Sequence, residues 1–352
     1  MTMVDWSLAR QVARLAAGSG ERDGADPDIA SLCAEMQEHV AAYTGLRPGS
    51  ATPGPELVGR EEWAAVNIAS LAGLIDPVAE RLERRLEFAG PLAGALQAGA
   101  TATLAAEVGL VMGYVSTRVL GQYDVSLLGG DAPPRLLFVA PNLRKAVREL
   151  DVDPEAFHRW ICAHELTHVF QFQGVPWLRD HLSAMVREYL ASVEVRIERG
   201  AAGGLPSLPS PARLVAAFNE GGLAALVQTQ EQRALIERVQ ATMAVVEGYS
   251  EHVMDSIAEP AIPNREALRA AMDRRRRSRS APELVIERLL GLEVKLRQYE
   301  QGKRFCDAVV AEGGIEVLDR VWEAPGSLPS TWELEHPADW IARLGPAPAA
   351  AA

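Results

Sequence analysis

The stretch DVDPEAFHRWICAHELTHVFQFQGVP, residues 151–176, decides how the rest of the chain is read. Asp153 can cap a helix N-terminus, Pro154 suits the first helical position, and Gly174 with Pro176 marks a stop. The punctuation predicts an active-site helix over 154–173, roughly 20 residues and about 30 Å long. At its centre stands HELTH, with His164 and His168 four residues apart and Glu165 between them. Residues at this spacing share a helix face, with Cβ atoms about 6 Å apart. Both imidazoles can therefore turn a nitrogen toward one ion, at the roughly 2.0–2.1 Å that zinc prefers. Glu165 is placed to reach a water on that ion without ligating it. Zinc lowers such a water's pKa toward ~7 and the carboxylate accepts its proton, which is the chemistry of metal-assisted hydrolysis. Phe157, Trp160 and Ile161 precede the histidines on nearly the same face, so the face points inward. Two buried histidines and a glutamate without partners would be costly, which favours a metal over a bare polar cluster.

Two ligands leave the site incomplete. The extension HExxHxxGxxH is absent, because Gln171 stands where its glycine would be and Gly174 where its third histidine would be. The stronger source of a third ligand is MAVVEGYSEHVMDSIAEP, residues 243–260, read as part of a second helix over 230–259 that ends before Pro260. Glu247, Glu251 and Asp255 recur every four residues there, while Val245, Val246, Tyr249, Val253 and Ile257 form an apolar side. No Lys or Arg stands at four-residue spacing to offset the stripe, so a cation facing it would account for the clustering. One acid would bind zinc and another could orient a ligand histidine.

The remaining sequence sets the frame. The chain has 352 residues, 48% of them apolar and 23% charged, as in a folded globular protein. A formal net charge of -12 argues against a nucleic-acid partner, the run DRRRRSRS at 273–280 reading as a solvated linker. Cys33, Cys162 and Cys306 are far apart in sequence and form no CxxC pair, which fits a reducing compartment and speaks against a disulfide framework. No secretory leader is evident, and the Ala/Gly-rich segment 94–115 carries Gln97 and Glu107, so it reads as a closely packed buried helix rather than a membrane span. A cytoplasmic location without membrane contact is expected.

Helices are expected over Trp6–Ala16, Ile29–Tyr43, much of 60–119, and 282–311, with RPGSATPGPE at 47–56 a Pro/Gly loop. GQYDVSLL and RLLFVAP, separated by GGDAPP, predict a β-hairpin. The fold class is mostly α with a small β-sheet, an α+β architecture. Residues 1–59 form an N-terminal helical segment and 60–345 a catalytic domain. That domain holds the sheet region 120–142, the two helices above and a C-terminal helical part over 282–345. Residues 346–352 read as a disordered tail.

HELTH followed by a downstream glutamate resembles the gluzincin metallopeptidases, in which a glutamate on a second helix is the third zinc ligand. EGYSEHV is similar to their EGxA-type ligand motif, which implies Glu247. A second gluzincin pattern, a ligand glutamate followed four residues later by an aspartate, would choose Glu251 with Asp255 behind it. VDWSLA, VLGQYD, LLFVAPNL, HELTHVFQFQGVPWLRDHL, EGYSEHVMD, KLRQYEQGKRF and RVWEAPGSLP together resemble an actinobacterial family of zincin-like, zinc-dependent hydrolases. That family is labelled by genome context as associated with biosynthesis of a deazaflavin coenzyme. The resemblance spans nearly the whole chain and implies a zincin-like core, with a small sheet above the active helix and one Zn2+ as cofactor. It also implies a substrate strand at the sheet edge, for which Leu136, Leu137, Phe138, Val139 and Ala140 are the candidates. Tyr249, His252 and Tyr299 are candidate donors to the transition state. The function expected is a zinc metallopeptidase cleaving a peptide or other amide, with Glu165 as general base. The alternative is a zincin-like binding or scaffold protein with a structural or vestigial zinc site. A carboxylate between the histidines favours catalysis, since a structural site has no need of it.

Overall fold

A computed structural model describes residues 4–18, 20, 27–86, 93–125, 133–192, 230–262, 265–277 and 292–345. In chain order its elements are α1 (Trp6–Ala17), α2 (Ile29–Thr44), β1 (Pro55–Val58), α3 (Arg60–Leu86), α4 (Ala93–Ser116), β2 (Gly121–Asp124), β3 (Arg135–Val139), α5 (Ala140–Leu150) and α6 (Pro154–Gly174). There follow α7 (Leu178–Ser192), α8 (Gln230–Ala261), α9 (Arg265–Arg277), α10 (Leu292–Gly313), α11 (Ile315–Leu318), α12 (Thr331–Glu335) and α13 (Pro337–Leu344). Two short 3-10 turns, Asp319–Trp322 and Pro325–Ser327, precede α12. The fold is mostly helical with one small sheet, as the sequence predicts. The turn residues 126–132, the serine end of the basic run, the start of the segment expected helical from 282, and the tail 346–352 lie outside the described residues.

The chain divides into two compact units: residues 1–179 with 256–271, and residues 180–255 with 272–352. In the first, α1 packs on α4 and α2 on α6, so these helices share a unit with the sheet. Asp5 and Asp28 cap α1 and α2 by accepting from Leu8 N–H and Ser31 N–H. The small residues Ala9, Ala13 and Ala17 make the buried face of α1. No described helix is long and apolar enough to cross a membrane.

The sheet has the order β1-β3-β2. The β2–β3 pair is antiparallel, with Gly121 opposite Phe138 and Asp124 opposite Arg135, as a hairpin requires. β1 was not legible in the Pro/Gly loop; it pairs parallel to β3, Pro55 opposite Leu136 and Val58 opposite Val139. This overturns the assignment of Leu136, Leu137, Phe138 and Val139 as an exposed edge. They form the central strand, hydrogen-bonded on both sides and fully buried, while Ala140 already begins α5. The unbroken apolar run LLFV is what a strand covered on both faces selects. Val58, Leu137 and Val139 join Ala13, Trp63, Ala64 and Ile68 in the core. Buried Asn142 donates to the carbonyls of Ser116 (2.7 Å) and Val119 (2.6 Å) and accepts from Arg60, which fixes the chain just ahead of β2.

In the second unit α8 and α10 approach until their backbones touch: a Cβ on Gly248 would lie 2.2 Å from the carbonyl carbon of Gly302. Trp340 of α13 is wholly buried, donates to the Ser327 carbonyl at 2.7 Å and meets Phe305 edge-on at 5.3 Å. Helix α8 also runs one residue past Pro260 instead of ending before it. A proline this close to a C-terminus forfeits only one ladder hydrogen bond, so the turn survives.

Candidate metal centre

The local signals around HELTH act as the sequence implies. Asp153 accepts from Ala156 N–H at 2.7 Å, Pro154 opens α6, and Val175 N–H closes it on the Gln171 carbonyl. Phe157, Trp160 and Ile161 are buried, so the face carrying the histidines is turned inward. His164 and His168 meet edge to face with their Nε2 atoms 3.2 Å apart. Two nitrogens about 2.05 Å from one tetrahedral ion lie about 3.3 Å apart, so the pair is spaced as a shared ion requires. The His168 ring is held in register by Gln171, whose Oε1 lies 2.9 Å from Nδ1. An amide oxygen only accepts, so Nδ1 carries the proton and Nε2 presents a lone pair to the site. Gln171 is fully buried and escaped the sequence reading as a functional residue. Its position three residues after His168 was the available signal.

Glu165 is buried and locked to the sheet. The backbone N–H of Tyr123 on β2 donates to its Oε2 at 3.1 Å. Gly121 makes that approach possible, since a Cβ there would stand 2.7 Å from Glu165 Cγ and 2.8 Å from Oε1. The edge strand beside the candidate site is thus β2, and its backbone holds the carboxylate. Tyr123 also accepts from Gln173 Nε2 through its hydroxyl at 3.2 Å, which ties β2 to the end of α6 a second time.

The acidic stripe on α8 separates into distinct environments. Glu247 is half-buried and Glu251 buried, whereas Asp255 pairs with Lys303 of α10 at 3.1 Å. A cation from a neighbouring helix therefore accounts for Asp255, which sequence spacing along α8 alone could not reveal. Lys303 also pairs with Asp307, whose other oxygen meets His252 Nδ1 at 2.8 Å. Burial raises the Asp307 carboxyl, but the His252 and Lys303 contacts outweigh it and hold the group below its ordinary range. Tyr249 is fully buried and donates its hydroxyl to Asp319 at 2.6 Å, with Trp322 edge-on at 5.2 Å. Burial pushes Asp319 up to about 6 and Tyr249 well above its usual value. Tyr249 is in this way an internal tie rather than an available donor. The side chain of Tyr299 lies outside the described residues.

Among the described residues, one group of three potential ligands can hold a metal ion: His164, His168 and Glu247, whose ligand atoms all lie within 4.8 Å of one another. Two nitrogens and one carboxylate oxygen suit zinc. A family model described as zincin-like metallopeptidase matches residues 4–341. The chain belongs to the zincin-like metallopeptidase family. A solved structure described as "a putative hydrolase with a novel fold", from Chloroflexus aurantiacus, is 31% identical, with a TM-score of 0.72 over 97% of this chain and 98% of that one. No curated protein matches this zincin-like chain significantly.

Proposed function

We propose that this zincin-like protein is a zinc-dependent hydrolase of amide bonds, acting on peptides, with His164, His168 and Glu247 as metal ligands and Glu165 as general base. The observation that carries the reading is the set of three ligand atoms within 4.8 Å, beside a glutamate that is held by a strand backbone and does not join that set. Zinc in such a site supplies Lewis acidity toward a carbonyl oxygen. Glu165 accepts the proton of the attacking water and returns it to the departing amine. The Tyr123 N–H fixes one carboxylate oxygen, so the base does not have to be ordered at each turnover. Gln171 keeps His168 in the tautomer that ligates. Glu247 is preferred to Glu251 because only Glu247 falls within the ligand group. Three protein ligands suit a catalytic site better than a scaffold, since structural zinc sites fill four positions, typically with thiolates. Cys162, the nearest thiol in sequence, turns to Cys33 instead.

The test is metal analysis together with turnover of a broad peptide library by wild type and by Glu165→Gln, Glu247→Gln and Glu251→Gln. Zinc near one ion per chain is expected in wild type, Glu165→Gln and Glu251→Gln, with loss in Glu247→Gln. Turnover is expected to be abolished in Glu165→Gln. A wild type that holds zinc but cleaves nothing would favour the scaffold alternative and overturn the hydrolase.

A further inference from the structure

The chain's three cysteines are scattered in sequence, yet the fold brings two of them together. Cys33 on α2 and Cys162 on α6, 129 residues apart, place their sulfurs 3.1 Å from one another. Both are free thiols, 4% and 0% exposed, in the interior of the first unit. Non-bonded carbon-sized atoms sit about 3.5–4.0 Å apart at their optimum, so these sulfurs are closer than ordinary contact. They stand about 1 Å from the ~2.05 Å of a sulfur–sulfur bond. Helix α2 packs directly on α6, so the two thiols face each other across a helix–helix contact.

We propose that Cys33 and Cys162 form a redox-active dithiol, oxidised by a peroxide to a disulfide that clamps α2 onto α6. Cys33, the more exposed of the two, gives up its proton and attacks a peroxide oxygen. The O–O bond breaks, the sulfenic acid forms, and the departing hydroxide takes up the released proton as water. The Cys162 sulfur then displaces the hydroxyl, its own proton leaving with it as a second water, and the disulfide bond forms. Two thiols and one hydrogen peroxide thus give one disulfide and two waters. Cys162 lies two residues before His164, so the clamp acts on the helix that carries the histidine pair. Neither metal binding nor turnover enters the chemistry, so it stands or falls separately from the hydrolase reading.

The experiment treats the full chain with hydrogen peroxide, alkylates it unfolded without reductant, and maps the tryptic peptides. The expected product is a chain lighter by two hydrogens in which peptide 23–60 is linked to peptide 160–179, while Cys306 in peptide 305–320 remains alkylated. Dithiothreitol should reverse the link, and the thermal midpoint of the oxidised chain should rise by roughly 5 °C or more. Cys33→Ser should abolish the link; if that variant fails to fold, the wild-type peptide map decides by itself. Three alkylated thiols, over-oxidation of Cys33 with no linked peptide, or a disulfide between two chains would each overturn the proposal.

Discussion

Gly121→Ala probes the hold of the sheet on Glu165 without touching a ligand. The added Cβ would stand 2.7 Å from Glu165 Cγ and 2.8 Å from Oε1, closer than real Cβ atoms come to such neighbours. Gly121 lies within β2, where alanine otherwise gains roughly 0.5–1 kcal/mol over glycine. The carboxylate is the part that must move, and moving it breaks the 3.1 Å hydrogen bond from Tyr123 N–H. A hydrogen bond to a charged group contributes about 1.5–3 kcal/mol, so the net cost expected is about 1–2 kcal/mol. A double-mutant cycle isolates the cause. In a Glu165→Ala background the carboxylate is absent, so Gly121→Ala should become neutral or slightly stabilising. Urea unfolding of the four proteins, with zinc content measured on each, provides the readout. An equal cost of Gly121→Ala in both backgrounds would refute the reasoning, because the methyl would then be striking something other than Glu165.

Three further outcomes follow from the same geometry. Gln171→Ala should weaken zinc binding by roughly 10–100-fold in a competitive chelator titration, since His168 loses the partner that sets its tautomer. Gly248→Ala should prevent α8 and α10 from docking, because the clash at 2.2 Å is with backbone and no side chain can yield; loss of helical circular dichroism and soluble yield would register it. Burial lowers His158 from 6.5 to about 4, so the unfolded chain binds its proton more readily than the folded one. Stability should therefore fall as pH drops from about 6.5 toward 4, and His158→Gln should flatten that limb of the urea midpoint–pH curve.

Much of the candidate centre is local in sequence and was legible there. Helix periodicity alone puts His164 and His168 on one face, and the Asp153 cap, Pro154 and Gly174 are read within a few residues of where they act. The acidic stripe could be found by the same spacing rule. Selecting within it was another matter, because the cation that pairs with Asp255 is Lys303, on a helix 48 residues further along (303 − 255). The Tyr249 hydroxyl is likewise committed to Asp319, a partner no pattern around EGYSEHV could indicate.

The sequence by itself determined most of the long helices, the Asp153 cap of α6, the hairpin and the facing pair of candidate ligands His164 and His168, because each depends on hydrogen bonds or side-chain periodicity within a short span. Only the tertiary structure decided which strand is central. β1 has four residues and little alternation of its own, and it exists because β3 offers it a parallel partner 81 residues away (136 − 55). The same long-range packing brought Tyr123 and Gly121 to Glu165 and set Cys33 against Cys162. Such contacts are fixed by how buried faces fit together, and a face carries no record in sequence of which distant residue will meet it.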